Sequence, residues 1–363
     1  MHSARIASGL ISGFISGLGR ALGGLWVIAT VWGCDGAPAL GPATDGGAQP
    51  PDLQPAILAQ SNVSLPGYPH PIDVFGPANA QRAVIFLHGG GGNKETVATQ
   101  LAIVPAASSP PDAAWLSGRS VVFVFPQGQA KPSAPKGMTW SNYVMDSGAD
   151  DLAFLGALQT ALRGGTLVPG LAKVGRVYLA GHSNGGMMAN RAWCETSTAF
   201  DGFAALAGPA SVRLYTGGTG LSDPNLGAAP CRPTQPRPYL GLVGGRDATL
   251  QTTGNWSQPY WSVNPTLAAT PGFVDPNLVN EEFFHRQIRV PLTCGGTAAA
   301  PTPSSDGKRT AWSDCGGRIQ LIRAETADHC LGQTSLCTAT LPGSSGLSMR
   351  DLMLDFFTST EPR

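Results

Sequence analysis

Short apolar segments alternate with helical patterns along most of the chain, and this alternation limits the fold more than any other feature of the sequence. We predict six strands, at residues 83–87, 121–125, 177–180, 203–206, 239–243 and 319–322. Helical patterns cover residues 150–162, 185–196, 280–290 and 347–357. Strands that are apolar throughout are buried on both faces of a sheet. The pattern therefore predicts an α/β fold with a mostly parallel, doubly wound sheet and helices on both faces.

The charge balance and composition exclude several classes of protein. Hydrophobic residues make up 42% of the 363 residues, which is enough for a sizeable core. The 23 basic and 23 acidic residues cancel, and no basic stripe indicates a nucleic-acid partner. None of the cysteines has CxxC spacing and no histidines cluster with them, so we expect neither a metal site nor a cofactor.

The N-terminal region has the pattern of an export signal followed by a tether. Residues 21–33 are uncharged and mostly apolar, but thirteen residues are too few to span a bilayer of roughly 30 Å. We predict a signal peptide over residues 1–34, ending at Cys34 in a sequence that resembles a bacterial lipobox; ordinary cleavage nearby is the alternative. Residues 35–55 are rich in Gly, Ala, Pro and Asp and predict a flexible tether. We expect an extracytoplasmic protein that is attached to a membrane only through a lipid on Cys34. Residues 56–363 are expected to form one catalytic domain.

The sharpest motif is Gly181-His182-Ser183-Asn184-Gly185, which joins the strand at 177–180 to the helical pattern at 185–196. A serine on such a tight turn is exposed at the carboxyl edge of the sheet and adopts strained backbone angles. It also lies at a helix N-terminus, where negative charge is favoured. We predict that Ser183 is a nucleophile. The alternative is a glycine-rich turn whose serine only caps the helix.

A serine nucleophile needs a base, and an acid that orients the base. In chain order both should follow the serine, which leaves His285 and His329 among the six histidines. His285 lies in a helical pattern, whereas His329 follows the last predicted strand, so we predict His329 as the base. Asp247 follows the strand at 239–243 and is the predicted acid. Asp275 is a weaker alternative, and we interpret Asp328 as a solvated loop residue.

The predicted oxyanion hole combines two backbone N–H groups. One belongs to Asn184, the residue after the nucleophile, and the other to the glycine run that follows the strand at 83–87. Gly90 is our choice, with Gly89 or Gly91 possible. A glycine-rich loop can also bind phosphate, but this one has no GKS or GKT sequence.

Several segments resemble one esterase family, which contains extracellular polyhydroxybutyrate depolymerases, feruloyl esterases and acetylxylan esterases. The segments are LHGGGGN at 87–93, ADDLAFLGAL at 149–158, GHSNGGMMANRAWC at 181–194, FAALAGPAS at 203–211, CRPTQPRPYLGLVGGRD at 231–247 and DLMLDFF at 351–357. The resemblance covers residues 80–360 and implies the α/β-hydrolase fold. It also implies the disulfides Cys194–Cys231 and Cys294–Cys315; Cys330–Cys337 is the pair that remains.

These features together predict an exported, monomeric serine hydrolase that cleaves carboxylic esters through an acyl-enzyme. Polyesters of the polyhydroxyalkanoate type and oligomeric or short-chain esters are the expected substrates; feruloyl or acetylxylan esters are the alternative. A serine peptidase and an inactive binding protein of the cell envelope are weaker alternatives. Trp140, Trp256 and Trp261 are the predicted substrate-binding residues, because exposed aromatic faces would suit a polyester or aromatic ester. The same aromatic residues could instead pack under a long loop.

Overall fold

The computed structural model describes most of the region after residue 55. The described residues are 56–106, 109–130, 137–143, 147–214, 229–235, 237–244, 302–305, 307, 309–324, 329 and 349–362. The predicted signal peptide, the predicted tether and the helical pattern at 280–290 lie outside these ranges.

A ten-stranded sheet forms the centre of the described structure, in the order β1-β2-β4-β3-β7-β8-β9-β12-β11-β10. Its strands are β1 (Ile57–Val63), β2 (Ile72–Pro77), β3 (Arg82–Leu87), β4 (Val121–Pro126), β7 (Arg176–His182), β8 (Gly202–Leu206), β9 (Tyr239–Gly244), β10 (Thr302–Pro303), β11 (Arg309–Asp314) and β12 (Ile319–Ala324). Two further short strands, β5 (Gln129–Ala130) and β6 (Met138–Thr139), pair with each other beside it. The six neighbouring strands β4, β3, β7, β8, β9 and β12 all run parallel to one another.

The parallel core is the sheet that the apolar segments predict, and all six predicted strands are confirmed. In β3 and β7 successive side chains point to opposite faces, and both faces are buried: Val177 and Leu179 pack on one side, Tyr178 and Ala180 on the other. Burial on both sides explains why these strands are apolar throughout rather than alternating.

Helices cover both faces of the sheet, as the prediction of a doubly wound fold requires. They are α1 (Lys94–Gln100), α2 (Ala113–Arg119), α3 (Asp151–Gly164), α4 (Asn184–Glu195) and α5 (Met349–Ser359). Helices α3 and α4 contribute to one core cluster, and α1, α2 and α5 contribute to the other. Within the described ranges, none of the helices combines the length and the hydrophobicity needed to cross a bilayer.

Ordinary local signals set the ends of the helices. Asp150 caps α3 by accepting the backbone N–H of Ala153, and Gly165 ends it in the left-handed conformation at φ 66°. Asn93 and Asp112 cap α1 and α2 in the same way. Helix α4 differs, because the side chain of its N-cap residue, Ser183, makes no capping hydrogen bond.

Candidate active site

The turn between β7 and α4 holds Ser183 in a conformation that non-glycine residues rarely adopt. Its φ is 52° and its ψ is −117°. The turn depends on glycines, because a Cβ on Gly181 would lie 2.4 Å from the carbonyl of Gly185, and a Cβ on Gly185 would lie 2.3 Å from the carbonyl oxygen of Leu87. Strand, turn and helix therefore pack so closely that no larger residue fits at either position.

The side chain of Ser183 makes its contact with His329 rather than with the helix. The distance from His329 Nε2 to Ser183 Oγ is 2.8 Å, although the two residues are 146 positions apart in the chain. His329 follows β12, which is the strand expected to present a base. The structure thus brings together the predicted nucleophile and base, and the interpretation of Ser183 as a helix cap is wrong.

The glycine loop after β3 lies against the same serine. A Cβ on Gly89 would lie 3.3 Å from the Cβ of Ser183. The N–H of Gly91 donates to the carbonyl oxygen of Met138 at 2.9 Å, and that of Gly92 donates to Gly89 at 3.0 Å. Gly91 is therefore excluded as an oxyanion donor, since its N–H is already used.

Gly89 and Gly90 remain as candidates on this loop, because none of the described residues accepts their N–H groups. Asn184 is the first residue of α4, where backbone N–H groups have no partner within the helix. The N–H of Asn184 lies beside Ser183 at the positive end of the helix dipole. Asn184 and the glycine loop thus lie beside Ser183, and their role as an oxyanion hole stays a prediction.

His88, which sequence reasoning passed over, fixes the shape of the glycine loop. Its Nε2 accepts the backbone N–H of Gly128 at 2.9 Å, so the ring proton is on Nδ1, which donates to the carbonyl oxygen of Gly89 at 2.7 Å. Burial lowers the pKa of His88 below its usual value, and the side chain is 1% exposed. A neutral imidazole with one defined tautomer therefore connects Gly89 to the segment after β4.

Trp140 does not line the substrate site, so that prediction is wrong. Its side chain has 0% exposed surface. The backbone N–H of Trp140 donates to Asn184 Oδ1 at 2.8 Å, and its indole N–H donates to the carbonyl oxygen of His88 at 3.1 Å. One buried residue therefore contacts both elements that carry the predicted oxyanion donors.

The residues after Trp140 extend this buried polar network. Asn142 donates to the carbonyl oxygen of Asn184 at 2.9 Å, and the N–H of Ser141 donates to Asp151 Oδ2 at 2.6 Å. Asp151 also pairs with His70 at 2.9 Å, and both side chains are almost fully buried. The carboxylate of Asp151 therefore connects the segment at Ser141 to His70 through buried hydrogen bonds, which are stronger than exposed ones.

Trp140→Phe tests whether the network supports catalysis. The change removes the hydrogen bond to His88 and keeps an aromatic ring in place. In an assay of the predicted ester hydrolysis we expect kcat to fall about tenfold while KM stays unchanged, because a misplaced donor at the predicted oxyanion hole would weaken binding of the transition state. Trp193→Phe is the matched control: it loses an equivalent indole bond, to the carbonyl oxygen of Arg237 at 3.0 Å. Equal loss of kcat in both variants would show a general effect on packing.

The predicted acid and two of the predicted aromatic residues lie outside the described residues. These are Asp247, Trp256 and Trp261, together with the alternatives Asp275, His285 and Asp328. Their roles therefore remain predictions.

Strand β9 ends at Gly244, three positions before Asp247, and pairs in parallel with β12, so that Gly244 lies beside Ala324. The loops that carry Asp247 and His329 thus leave the sheet from adjacent strand ends.

A disulfide connects α4 to the segment that leads into β9. Cys194, at the end of α4, is bonded to Cys231, which confirms the pairing that the resemblance implies. Cys315 is also disulfide-bonded. Disulfides of this kind are typical of proteins that fold in an oxidising compartment.

No cluster of metal-binding side chains occurs within the described part of the chain.

Comparisons with known proteins give the fold a name. No family model matches the sequence, and no curated protein matches it. An acetyl xylan esterase from Aspergillus awamori superposes with a TM-score of 0.51 at 12% identity, over 84% of this chain and 99% of that one. The chain has the α/β-hydrolase fold.

Two further solved structures align over similar shares of this chain. A Bacillus cereus carboxylesterase aligns over 81% of this chain and 96% of its own, and a Zea mays acyl-protein thioesterase 2 over 80% and 98%. Both are 12% identical to this chain, with TM-scores of 0.39 and 0.37. In the α/β-hydrolase fold the nucleophile occupies the turn between a strand and the following helix, and Ser183 occupies that turn here.

Proposed function

We propose that this α/β-hydrolase is a serine esterase that cleaves carboxylic esters through an acyl-enzyme. The observation that carries the proposal is the 2.8 Å contact between Ser183 Oγ and His329 Nε2 at a strained strand-to-helix turn. A structural serine at the start of a helix would cap that helix, and Ser183 does not. Strain that is kept without a structural benefit is typical of catalytic positions.

The reaction uses these residues in two stages. His329 removes the proton of Ser183 as Oγ attacks the ester carbonyl carbon, and the carbonyl oxygen becomes an oxyanion. The N–H groups of Asn184 and of Gly89 or Gly90 donate to that oxyanion. His329 then protonates the departing alcohol. In the second stage His329 activates water, which hydrolyses the acyl-enzyme and restores Ser183.

The structure supports stabilisation of the oxyanion by residues already in position. The glycine loop is held by His88, and Asn184 is held by Trp140 and Asn142 through hydrogen bonds between buried groups. Donors that are fixed before the reaction need no reorganisation when charge develops. A loop built from bare glycines also lets the carbonyl oxygen approach the backbone closely.

We further propose that short-chain esters and amorphous or oligomeric polyesters are the substrates. The resemblance to polyhydroxybutyrate depolymerases supports this proposal, and feruloyl and acetylxylan esters are the competing class. A panel with one ester of each type, assayed with the same protein preparation, separates the two classes. Faster turnover of feruloyl or acetylxylan esters than of polyester oligomers would contradict our choice of substrate and leave the mechanism intact.

A fluorophosphonate probe tests the mechanism independently of the substrate. Such probes react with activated serines, so we expect one label per chain, located on Ser183 by peptide mapping. The label should be lost in His329→Ala, where the hydroxyl has no base. Labelling at another serine, or equal labelling in His329→Ala, would contradict the proposal.

A further inference from the structure

His182, the residue before the nucleophile, makes a hydrogen bond that the mechanism above does not use. Its Nε2 lies 2.6 Å from the backbone carbonyl oxygen of His329. A carbonyl oxygen can only accept, so Nε2 carries the ring proton and donates it. The rings of His182 and His329 are 4.9 Å apart and inclined by 46°, which places the two histidines side by side.

The other edge of the same ring faces the glycine loop. A Cβ on Gly89 would lie 3.3 Å from His182 Nδ1. Burial, with a contribution from the charge of His329, lowers the pKa of His182 to about 3. His182 is therefore neutral at ordinary pH, and its single ring proton is the one donated to His329.

The backbone around His182 is held by the pairing of β7 with β8. His182 is the last residue of β7, pairs in register with Leu206 of β8, and is followed by Ser183, whose N–H donates to Leu206 at 2.8 Å. His329, in contrast, lies beyond the end of β12. A rigid strand end thus donates a hydrogen bond to the backbone of the residue that must meet Ser183.

We propose that His182 is a positioning residue that holds the backbone of His329, so that the imidazole of His329 stays within hydrogen-bonding distance of Ser183. The proposal rests on the proposed function, in which His329 is the base. His182 itself exchanges no proton with the substrate. Misplacement of a catalytic group by about 1 Å can cost a hundredfold in rate, so one such bond can have a measurable effect on turnover.

Three substitutions distinguish the effect of losing the hydrogen bond from the effect of losing the volume of the ring. His182→Phe keeps an aromatic ring and removes the donor. His182→Gln removes the ring and keeps an N–H donor at about the reach of Nε2. The side chain of His182→Asn is polar but too short to reach the carbonyl oxygen of His329, so this variant also lacks the hydrogen bond. It replaces His182→Phe if the phenylalanine variant does not fold.

With a soluble p-nitrophenyl ester we expect kcat of His182→Phe and His182→Asn to fall between about 10- and 100-fold, with KM within about twofold of wild type. His182→Gln should recover most of kcat. A purely structural role predicts lower thermal stability in all three variants without this order of kcat. Wild-type kcat in His182→Phe, or equal loss in the glutamine and asparagine variants, would overturn the proposal.

A second measurement does not depend on activity. In a Ser183→Ala background, diethyl pyrocarbonate labelling of His329 is followed by mass spectrometry for each His182 variant. We expect faster labelling of His329 when the donor is absent and a near wild-type rate in His182→Gln. His70 and His88 are 2% and 1% exposed and report any general unfolding.

The two measurements distinguish the failure of this inference from the failure of the proposed function. A wild-type chain that neither cleaves esters nor takes up the fluorophosphonate would contradict the esterase, and the labelling of His329 would still decide the role of His182. Equal labelling of His329 in all variants would overturn the role of His182 even if the esterase is active.

Discussion

Ser183→Ala should lower kcat for ester hydrolysis by a factor on the order of 10⁶, as in other serine hydrolases that lose the nucleophile. The alanine variant has no hydroxyl to form the acyl-enzyme, while the oxyanion donors and the fold remain. Ser183 Oγ makes no capping bond, and loss of its hydrogen bond to His329 costs about 1 kcal/mol, so the thermal midpoint should fall by no more than about 4 °C. Steady-state kinetics with a p-nitrophenyl ester and a thermal melt measure both quantities.

The control for this substitution is a buried serine just beyond the far end of the same helix. Ser197 is 1% exposed and lies just after α4, whereas Ser183 lies just before it. Ser197→Ala should keep wild-type kcat, even if the protein becomes less stable. Turnover at the wild-type level in Ser183→Ala would show that the proposed mechanism is wrong.

Asp247→Asn should lower kcat by about 10⁴, by analogy with other triads, because an amide does not hold the imidazole in the required tautomer. The structure supports this expectation through the sheet: β9 and β12 are parallel neighbours, and Asp247 and His329 follow their ends. The measurement is kcat at saturating ester, with fluorophosphonate labelling as a second readout of the activated serine.

Asp275→Asn and Asp328→Asn are the matched controls, since each removes one carboxylate from a position that sequence reasoning left as an alternative or as a solvated residue. Both should retain nearly full kcat. A large loss in Asp275→Asn together with normal activity in Asp247→Asn would identify Asp275 as the acid, and the esterase mechanism would stand with a different partner for His329.

Five of the six parallel strands could be predicted because they are buried on both faces and contain unbroken apolar runs. Strand β12 contains the half-buried Gln320 and Arg323, and its buried Ile319, Leu321 and Ile322 carried the prediction. The flanking antiparallel strands lack that signal. Strand β1 has four consecutive exposed residues in the sequence ILAQSNV, and β11 reads RTAWSD. Strands at a sheet edge gain much of their stability from pairing with a neighbour, which no local pattern records. The helices α1 and α2 have seven residues each, which is too short for a helical pattern of hydrophobic residues to stand out in the sequence.

The contact between Ser183 and His329 could be predicted because the proposed chemistry imposes chain order and local sequence. Ser183 lies in a motif that requires glycines on either side, and His329 was found by its position after the last predicted strand. The supporting residues could not be predicted, because their partners are far away in the sequence: Trp140 contacts Asn184 across 44 positions, and His70 contacts Asp151 across 81. A buried tryptophan and an exposed one look alike in a sequence, which explains the wrong interpretation of Trp140.

The separation of 146 residues between Ser183 and His329 has a consequence for the order of folding. Closing a flexible loop of that length costs about 4 kcal/mol in chain entropy, so the contact forms only after other interactions have drawn the ends together. The strained turn at Ser183 can form with β3, β7 and β8, all of which precede residue 207. His329 arrives later, once β12 has docked beside β9. Under the proposed mechanism a nascent chain therefore carries Ser183 without its base, and we expect hydrolytic activity only after β12 has joined the sheet.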